Sequence, residues 1–272
     1  MKTWISLLVG GLLFASCNSN SGSGSDSMYD TNKALYERSI KYSDFGTALV
    51  ALNYMLLEDS TNMEYTDSIA RLYMRSGSFD AGLTLGAKVM EDNPKNYGLL
   101  EIMATAQEYK GDEASLTKAF RNYKKLYEEV GGTKYLLKQA QVGIIKGSFD
   151  VAESKLKVVL DSDEIGVIES QRADGGSQLV DFKAVAHLLM ANIRFNQSKD
   201  KEGVKHLEES LRISPEYEAA KLMVQRLQQI QQQQQALGQQ QAYQQQISRQ
   251  AELERKKAAD KKKYEEFLKQ SK

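Results

Sequence analysis

Residue types able to do covalent or metal chemistry are scarce in this chain and badly spaced for it. There are two histidines and one cysteine in 272 residues. His187 and His206 have no second ligand at HExxH-like spacing and read as surface or satisfied side chains. Cys17 is the only thiol, so a disulfide within the chain and a thiolate zinc site are both excluded. Asp174-Gly175-Gly176-Ser177 is glycine-rich, but no strand is expected before it and no lysine follows the glycines, so it is no phosphate loop. The pattern predicts a turn there with Ser177 as N-cap, and Leu179, Phe182, Ala186, Leu189 and Ile193 continue as a helix. Residues 167–183 are thus expected to be a loop plus an early helix start. Asp161, Asp163 and Glu164 fall at a helix end and are expected to be solvated. No acid–base pair or nucleophile set converges, so the expectation is a non-enzyme without cofactor or metal. Lys and Arg total 36 against 36 Asp and Glu, which implies no polyanionic partner and no nucleic acid.

The elements that would position a binding site are announced by a repeated tetrapeptide. Gly77-Ser78-Phe79-Asp80 returns as Gly147-Ser148-Phe149-Asp150. The interval is two periods of about 35 residues, and Phe45 and Gly111 fall in the same register. Blocks begin near Tyr29, Met63, Tyr97, Thr133 and Ala184. Small residues recur in two columns: Ala70, Ala104, Ala140 and Ala191, then Ala48, Gly82, Ala152 and Gly203, with Leu116 as the exception. Apolar residues follow at helical spacing in each half-block, separated by Gly and polar residues, so each block reads helix–turn–helix. Gly82 and Gly86 are poor helix formers, by about 1 kcal/mol each relative to Ala, and predict close approach of another helix. Pro94 and Pro215 share one column near the end of the second helix, where proline is tolerated.

These columns resemble the tetratricopeptide repeat (TPR), with its period of about 34 residues, over Tyr29 to Tyr217. The Trp common in the first helix is absent, and Ser198 stands where Gly is usual. The resemblance implies an all-α solenoid of about five repeats, in which stacked hairpins bury the faces that none can bury alone. It also implies a concave face lined by the first helix of each repeat. The second block would supply Glu64, Asp67, Arg71, Met74 and Arg75, and the third Glu101, Thr105, Glu108 and Tyr109. The fourth would supply Leu137, Gln141, Ile144 and Ile145, and the fifth Val185, Leu188, Asn192 and Phe195. Such a groove is charged at one end and apolar at the other. It is either free for a peptide or helix, or covered by the C-terminal helix. The Lys/Asn clamp that some members use for a C-terminal carboxylate is absent, with Glu37 and Arg71 in the relevant column.

Lys2 precedes an apolar stretch from Trp4 to Ala15, too short to span a bilayer comfortably, which reads as a secretory signal. It ends Leu13-Phe14-Ala15-Ser16-Cys17, which resembles a bacterial lipoprotein signal. That resemblance implies removal of residues 1–16 and acylation of Cys17, palmitate included, as a membrane anchor. Residues 17–28 would then be the lipidated Cys and a Ser/Gly/Asn-rich tether of roughly 18 Å r.m.s. reach. Asn18 rather than Asp after the Cys, and no acidic run, make the periplasmic face of an outer membrane the leading address.

Residues 218–272 change composition. Helical spacing continues through Ala220, Val224 and Leu227 and predicts a cap on the last repeat. Glutamine then dominates from Gln231 to Gln246, with a break expected at Gly238, and a charged segment follows from Ala251. Sustained a/d heptads, the mark of a coiled coil, are absent. Two readings follow: a lipid-anchored periplasmic adaptor for a protein or peptide partner in envelope assembly or secretion, or a scaffold that self-associates weakly through its C-terminal helix.

Overall fold

The computed structural model describes residues 28–270, so Cys17, the signal-like stretch and the tether lie outside the described residues. Ten helices form five antiparallel hairpins in chain order. They are α1 (Met28–Lys41) with α2 (Phe45–Glu58), α3 (Met63–Arg75) with α4 (Phe79–Asp92), and α5 (Tyr97–Lys110) with α6 (Glu113–Val130). They continue with α7 (Lys134–Ile145) and α8 (Phe149–Asp161), then α9 (Phe182–Asn196) and α10 (Asp200–Ile213). A long helix, α11 (Glu218–Gln270), follows. Between α8 and α9 lies a two-stranded antiparallel hairpin, β1 (Val167–Gln171) and β2 (Ser177–Asp181).

The repeated tetrapeptide is the corner of two of the hairpins, α3–α4 and α7–α8. Gly77 takes φ +83° and Gly147 φ +72°, a left-handed conformation that glycine adopts without a Cβ clash. The following serine closes a Schellman motif: Ser78 N–H donates to the Tyr73 carbonyl at 2.9 Å, and Ser148 N–H to that of Gly143 at 2.8 Å. The phenylalanine opens the next helix and packs inward, Phe79 beside Met74 and Phe149 beside Leu156. The aspartate sits in the first turn, where a negative charge suits the helix dipole. Ser43 and Ser198 occupy the same corner at φ 57° and 58°, held by the same pair of hydrogen bonds. Elsewhere side-chain caps start the helices: Asn62 accepts from Glu64 and Tyr65, Asn96 from Leu99, and Asp112 from Ser115.

The core runs as a chain of clusters between neighbouring helices. Ala48, Ala70, Ala104, Ala140, Ala152 and Ala191 are fully buried, which is what the small-residue columns require. At Gly82 an added Cβ would lie 2.5 Å from Met74 Cγ and 2.9 Å from the Ala70 carbonyl oxygen, so two backbones meet there. At Gly86 the neighbour is only the Met103 side chain, at 3.0 Å.

Two stretches differ from the sequence reading. Residues 167–171 and 177–181 are strands, and the N-cap of α9 is Asp181, which accepts from Lys183 N–H at 2.7 Å, rather than Ser177. Leu179, read as an inward helical position, is 72 % exposed on β2. The hairpin turns at Ala173-Asp174-Gly175: Gly175 N–H donates to the Arg172 carbonyl, and Gly175 adopts φ +84°. The second difference is α11, which runs through Gly238 unbroken. Its start packs on the last repeat through Ala220, Met223, Val224 and Leu227, while 231–259 are exposed. No helix among the described residues is long and apolar enough to cross a membrane.

Candidate partner-binding groove

First helices stand side by side, α3 against α5 and α7 against α9, and their outward residues form one wall of the solenoid. A cavity of about 770 Å³ opens on that wall between α5, α7, α9 and the whole length of β1. A second, of about 790 Å³, adjoins it between α3, α4 and α5 and shares Glu101, Thr105, Tyr109 and Glu169. Together they make a groove along the concave wall.

The polar floor is already paired. Glu101 accepts from Lys134 Nζ at 3.0 Å and from the Tyr135 hydroxyl at 2.9 Å. Glu108 accepts from the Tyr123 hydroxyl at 2.8 Å and pairs with Lys138 at 3.5 Å. Burial, then the Glu108 charge, pushes the Tyr123 phenol far above its ordinary range. Burial also raises Tyr135, against the opposing hydrogen bond with Lys134 and with the help of Glu101. Both phenols are therefore neutral donors at physiological pH, suited to holding carboxylates in place. The apolar surface lies around this floor. Tyr109 is 64 % exposed and stacks on Phe79 with ring centroids 6.2 Å apart, and Ile145 is 54 % exposed.

Of the residues assigned to the groove by sequence, Arg75, Tyr109, Gln141 and Ile145 border these cavities, as do Glu101, Thr105, Glu108 and Val185. Others serve packing. Leu137 is 1 % exposed, Leu188 and Met74 are buried, and Ile144 packs on the cluster around Leu137. Met74 touches the second cavity but faces Gly82, and the Phe195 ring fills the space a Cβ on Gly203 would need. Arg71 is tied to Asp67 at 2.9 Å and to Asn96 at 3.0 Å, where it holds the cap of α5. Asn192 lies off both cavities and accepts from Asn196 Nδ2 at 2.6 Å. The apolar end is thus narrower than the columns imply. A helix presents a stripe only about 100° wide to its neighbours, and Met74, Leu137, Ile144, Leu188 and Phe195 turn into the core between helices.

Two features of the groove were missed. No residue of α11 lines it among the described residues; the segment that reaches it is the β1–β2 hairpin. The signal was available in Val167-Ile168-Glu169-Ser170-Gln171, an alternating run ahead of Asp174-Gly175. The histidines also meet. His187 Nδ1 lies 3.0 Å from His206 Nδ1 across α9 and α10, half-buried. Burial lowers both; the second cause is the partner's charge for His187 and Arg194 for His206. Among the described residues no group of three or more His, Cys, Asp or Glu is placed to hold a metal.

The sequence matches no family model. It matches no curated protein. Solved structures do match. MamA residues 41-end from Desulfovibrio magneticus RS-1 aligns at TM-score 0.56 and 9 % identity, over 70 % of this chain and 97 % of that one. Another MamA structure aligns at TM-score 0.53 and 14 % identity, over 69 % and 92 %. YrrB, described as a TPR protein with an unusual peptide-binding site, aligns at TM-score 0.52 and 14 % identity, over 70 % and 88 %. At these identities the likeness is one of architecture, and it agrees with the corner, column and packing geometry above: the chain has the tetratricopeptide-repeat fold.

Proposed function

We propose that this chain is a lipid-anchored adaptor of the bacterial envelope that holds a protein or peptide partner in its concave groove. One observation carries the binding half of this reading. Tyr109 and Ile145 stay exposed on a concave wall that no described residue of α11 lines, beside carboxylates already neutralised by Lys134 and Lys138. Exposed aromatic and aliphatic anchors on a rigid, pre-paired polar floor are what a protein interface uses at its centre. That YrrB is described as having a peptide-binding site supports the same use of the fold. The anchoring half rests on the sequence before Cys17 and assigns the chain to the periplasmic face of an outer membrane. The paired carboxylates and neutral phenols favour binding over catalysis.

The test is partner retention. Tyr109→Ala and Ile145→Lys lose the co-purifying partner while helicity is unchanged, and Val158→Lys, on the exposed side of α8, keeps it. Loss of the partner in all three, or in none, rejects the groove. Labelling with radioactive palmitate, compared with Cys17→Ser, tests the anchor. A second reading draws on α11, whose exposed Leu237, Tyr243 and Leu253 project beyond the body. Sedimentation with and without residues 218–272 decides it: a tail-dependent dimer favours a scaffold, a monomer the adaptor.

A further inference from the structure

The edge of β1 that borders the groove is a row of unpaired backbone groups. In an antiparallel pair, opposite residues alternate between exchanging both hydrogen bonds and exchanging none. Arg172 N–H donates to the Gly176 carbonyl at 2.9 Å, and Phe182 N–H to that of Gly166 at 3.0 Å. With the register Ile168 to Val180 and Ser170 to Gln178, those pairs share the bonded phase. The N–H and C=O groups of Val167, Glu169 and Gln171 therefore point away from β2. Among the described residues these six groups have no backbone hydrogen-bond partner.

This edge is also held still. At the tip, Glu218 accepts from Arg172 Nε at 3.1 Å and from Ala173 N–H at 3.0 Å. At the base, Gly166 packs under the Phe182 ring so tightly that a Cβ would lie 2.3 Å from it. Ile168, like Val185 and Leu189, packs against the buried cluster of Leu137, Phe182 and Ala186. All five β1 residues line the cavity, and none of β2 does.

We infer that the groove takes its partner as an extended peptide that adds as a third strand to β1. The inference rests on the groove reading above and gives the occupant a backbone conformation. Five residues of β1 offer roughly 17 Å of edge. Only an extended backbone matches donors and acceptors that recur at every second residue; a helix has its own bonded internally. The occupant's side chains alternate between the two sheet faces. One set falls on the face where Ile168 meets α7 and α9, so the peptide has apolar residues at alternate positions, against Ile145, Val185 and Leu189. A pre-set edge costs little ordering on the protein's side.

The probe is a phage-displayed library of random dodecapeptides, selected on the full chain in detergent and eluted against Ile145→Lys. The best peptide is resynthesised with a single N-methyl group at each position in turn. Strand addition predicts about tenfold weaker binding at every second residue over the bound stretch and little change between. Glu169→Pro, which removes one outward N–H, weakens binding similarly, and Glu169→Ala does not. Should Glu169→Pro disturb the hairpin, the N-methyl scan on the unaltered protein still decides. Binding lost in Ile145→Lys but with no alternation in the scan overturns strand addition and leaves the groove reading intact. Failure to select any peptide sensitive to Ile145→Lys overturns both. A dimer of the chain alone that Glu169→Pro dissociates assigns the edge to a second copy and overturns the peptide.

Discussion

The junction between the fourth and fifth hairpins hangs on one buried guanidinium, and its removal has a calculable effect. Arg194 on α9 donates to Glu153 on α8 through two nitrogens, at 2.7 and 2.8 Å, and to Gln197 Oε1 at 3.0 Å. Both side chains are largely buried, and Glu202 adds an ion pair at 3.0 Å. The Arg194 hydrogen bonds, helped by Lys157, take Glu153 from 4.5 down to about 2. At ~1.4 kcal/mol per unit that difference is worth about 3 kcal/mol. Lys157 is mostly exposed and contributes little after solvent screening, which leaves about 2–3 kcal/mol for the Arg194 pair. The folded state holds Glu153 ionised more strongly than the unfolded chain does. This stability is therefore complete above the unfolded value near 4.5 and is lost as pH falls toward 2. Glu153→Gln should lower stability by about 2–3 kcal/mol at pH 7, since the buried guanidinium loses its counter-charge. The assay is urea unfolding followed by circular dichroism at pH 7, 4.5 and 3. The gap between wild type and variant should shrink steadily below pH 4.5. A gap under about 0.5 kcal/mol at pH 7, or one that persists undiminished at pH 3, refutes the reasoning.

Three further outcomes follow from the same geometry. Ser43→Gly and Ser198→Gly should each stabilise the chain by about 0.5–1 kcal/mol, because relief of left-handed strain exceeds the entropy glycine adds to the unfolded chain; thermal unfolding reads this. Gly82→Ala should destabilise by about 1–3 kcal/mol despite its better helix propensity, because the new Cβ meets Met74 and the Ala70 carbonyl; urea unfolding checks the sign. The His187–His206 contact should make stability fall as pH drops from 6.5 through the lowered folded values, since the unfolded chain binds more protons there, and His187→Phe with His206→Leu should flatten that slope in a pH series of melts.

Much of the solenoid was legible because its signals are local and repeated. Gly77 and Gly147 mark corners because only glycine is free of strain at that φ, and Ala70 or Ala152 mark contacts where a larger side chain has no room. Ser198 departs from the glycine pattern, yet the corner survives, since the surrounding hydrogen bonds hold one strained residue. The β-hairpin was not read, because Leu179, Phe182, Ala186 and Leu189 mimic helical spacing across a strand–helix boundary at Asp181. Short apolar runs carry both periods at once. The groove was half legible. Column positions identify which helix faces the wall, and so found Tyr109 and Ile145. They do not fix rotation about the helix axis, and so included Leu137, buried among α7, α8 and α9, and Leu188, buried among α9, α10 and the start of α11. The His187–His206 contact was out of reach for another reason. Each histidine was weighed for a ligand on its own helix, whereas the contact crosses a hairpin.

The central claim is that a partner sits in the concave groove. The most direct measurement is site-specific photo-crosslinking in living cells, with a photoreactive phenylalanine at position 109 and, as control, at position 158 on the exposed side of α8. The account predicts one dominant protein adduct from position 109, lost when Ile145→Lys is added, and none from position 158. No adduct from position 109, or the same adduct from both positions, would contradict it.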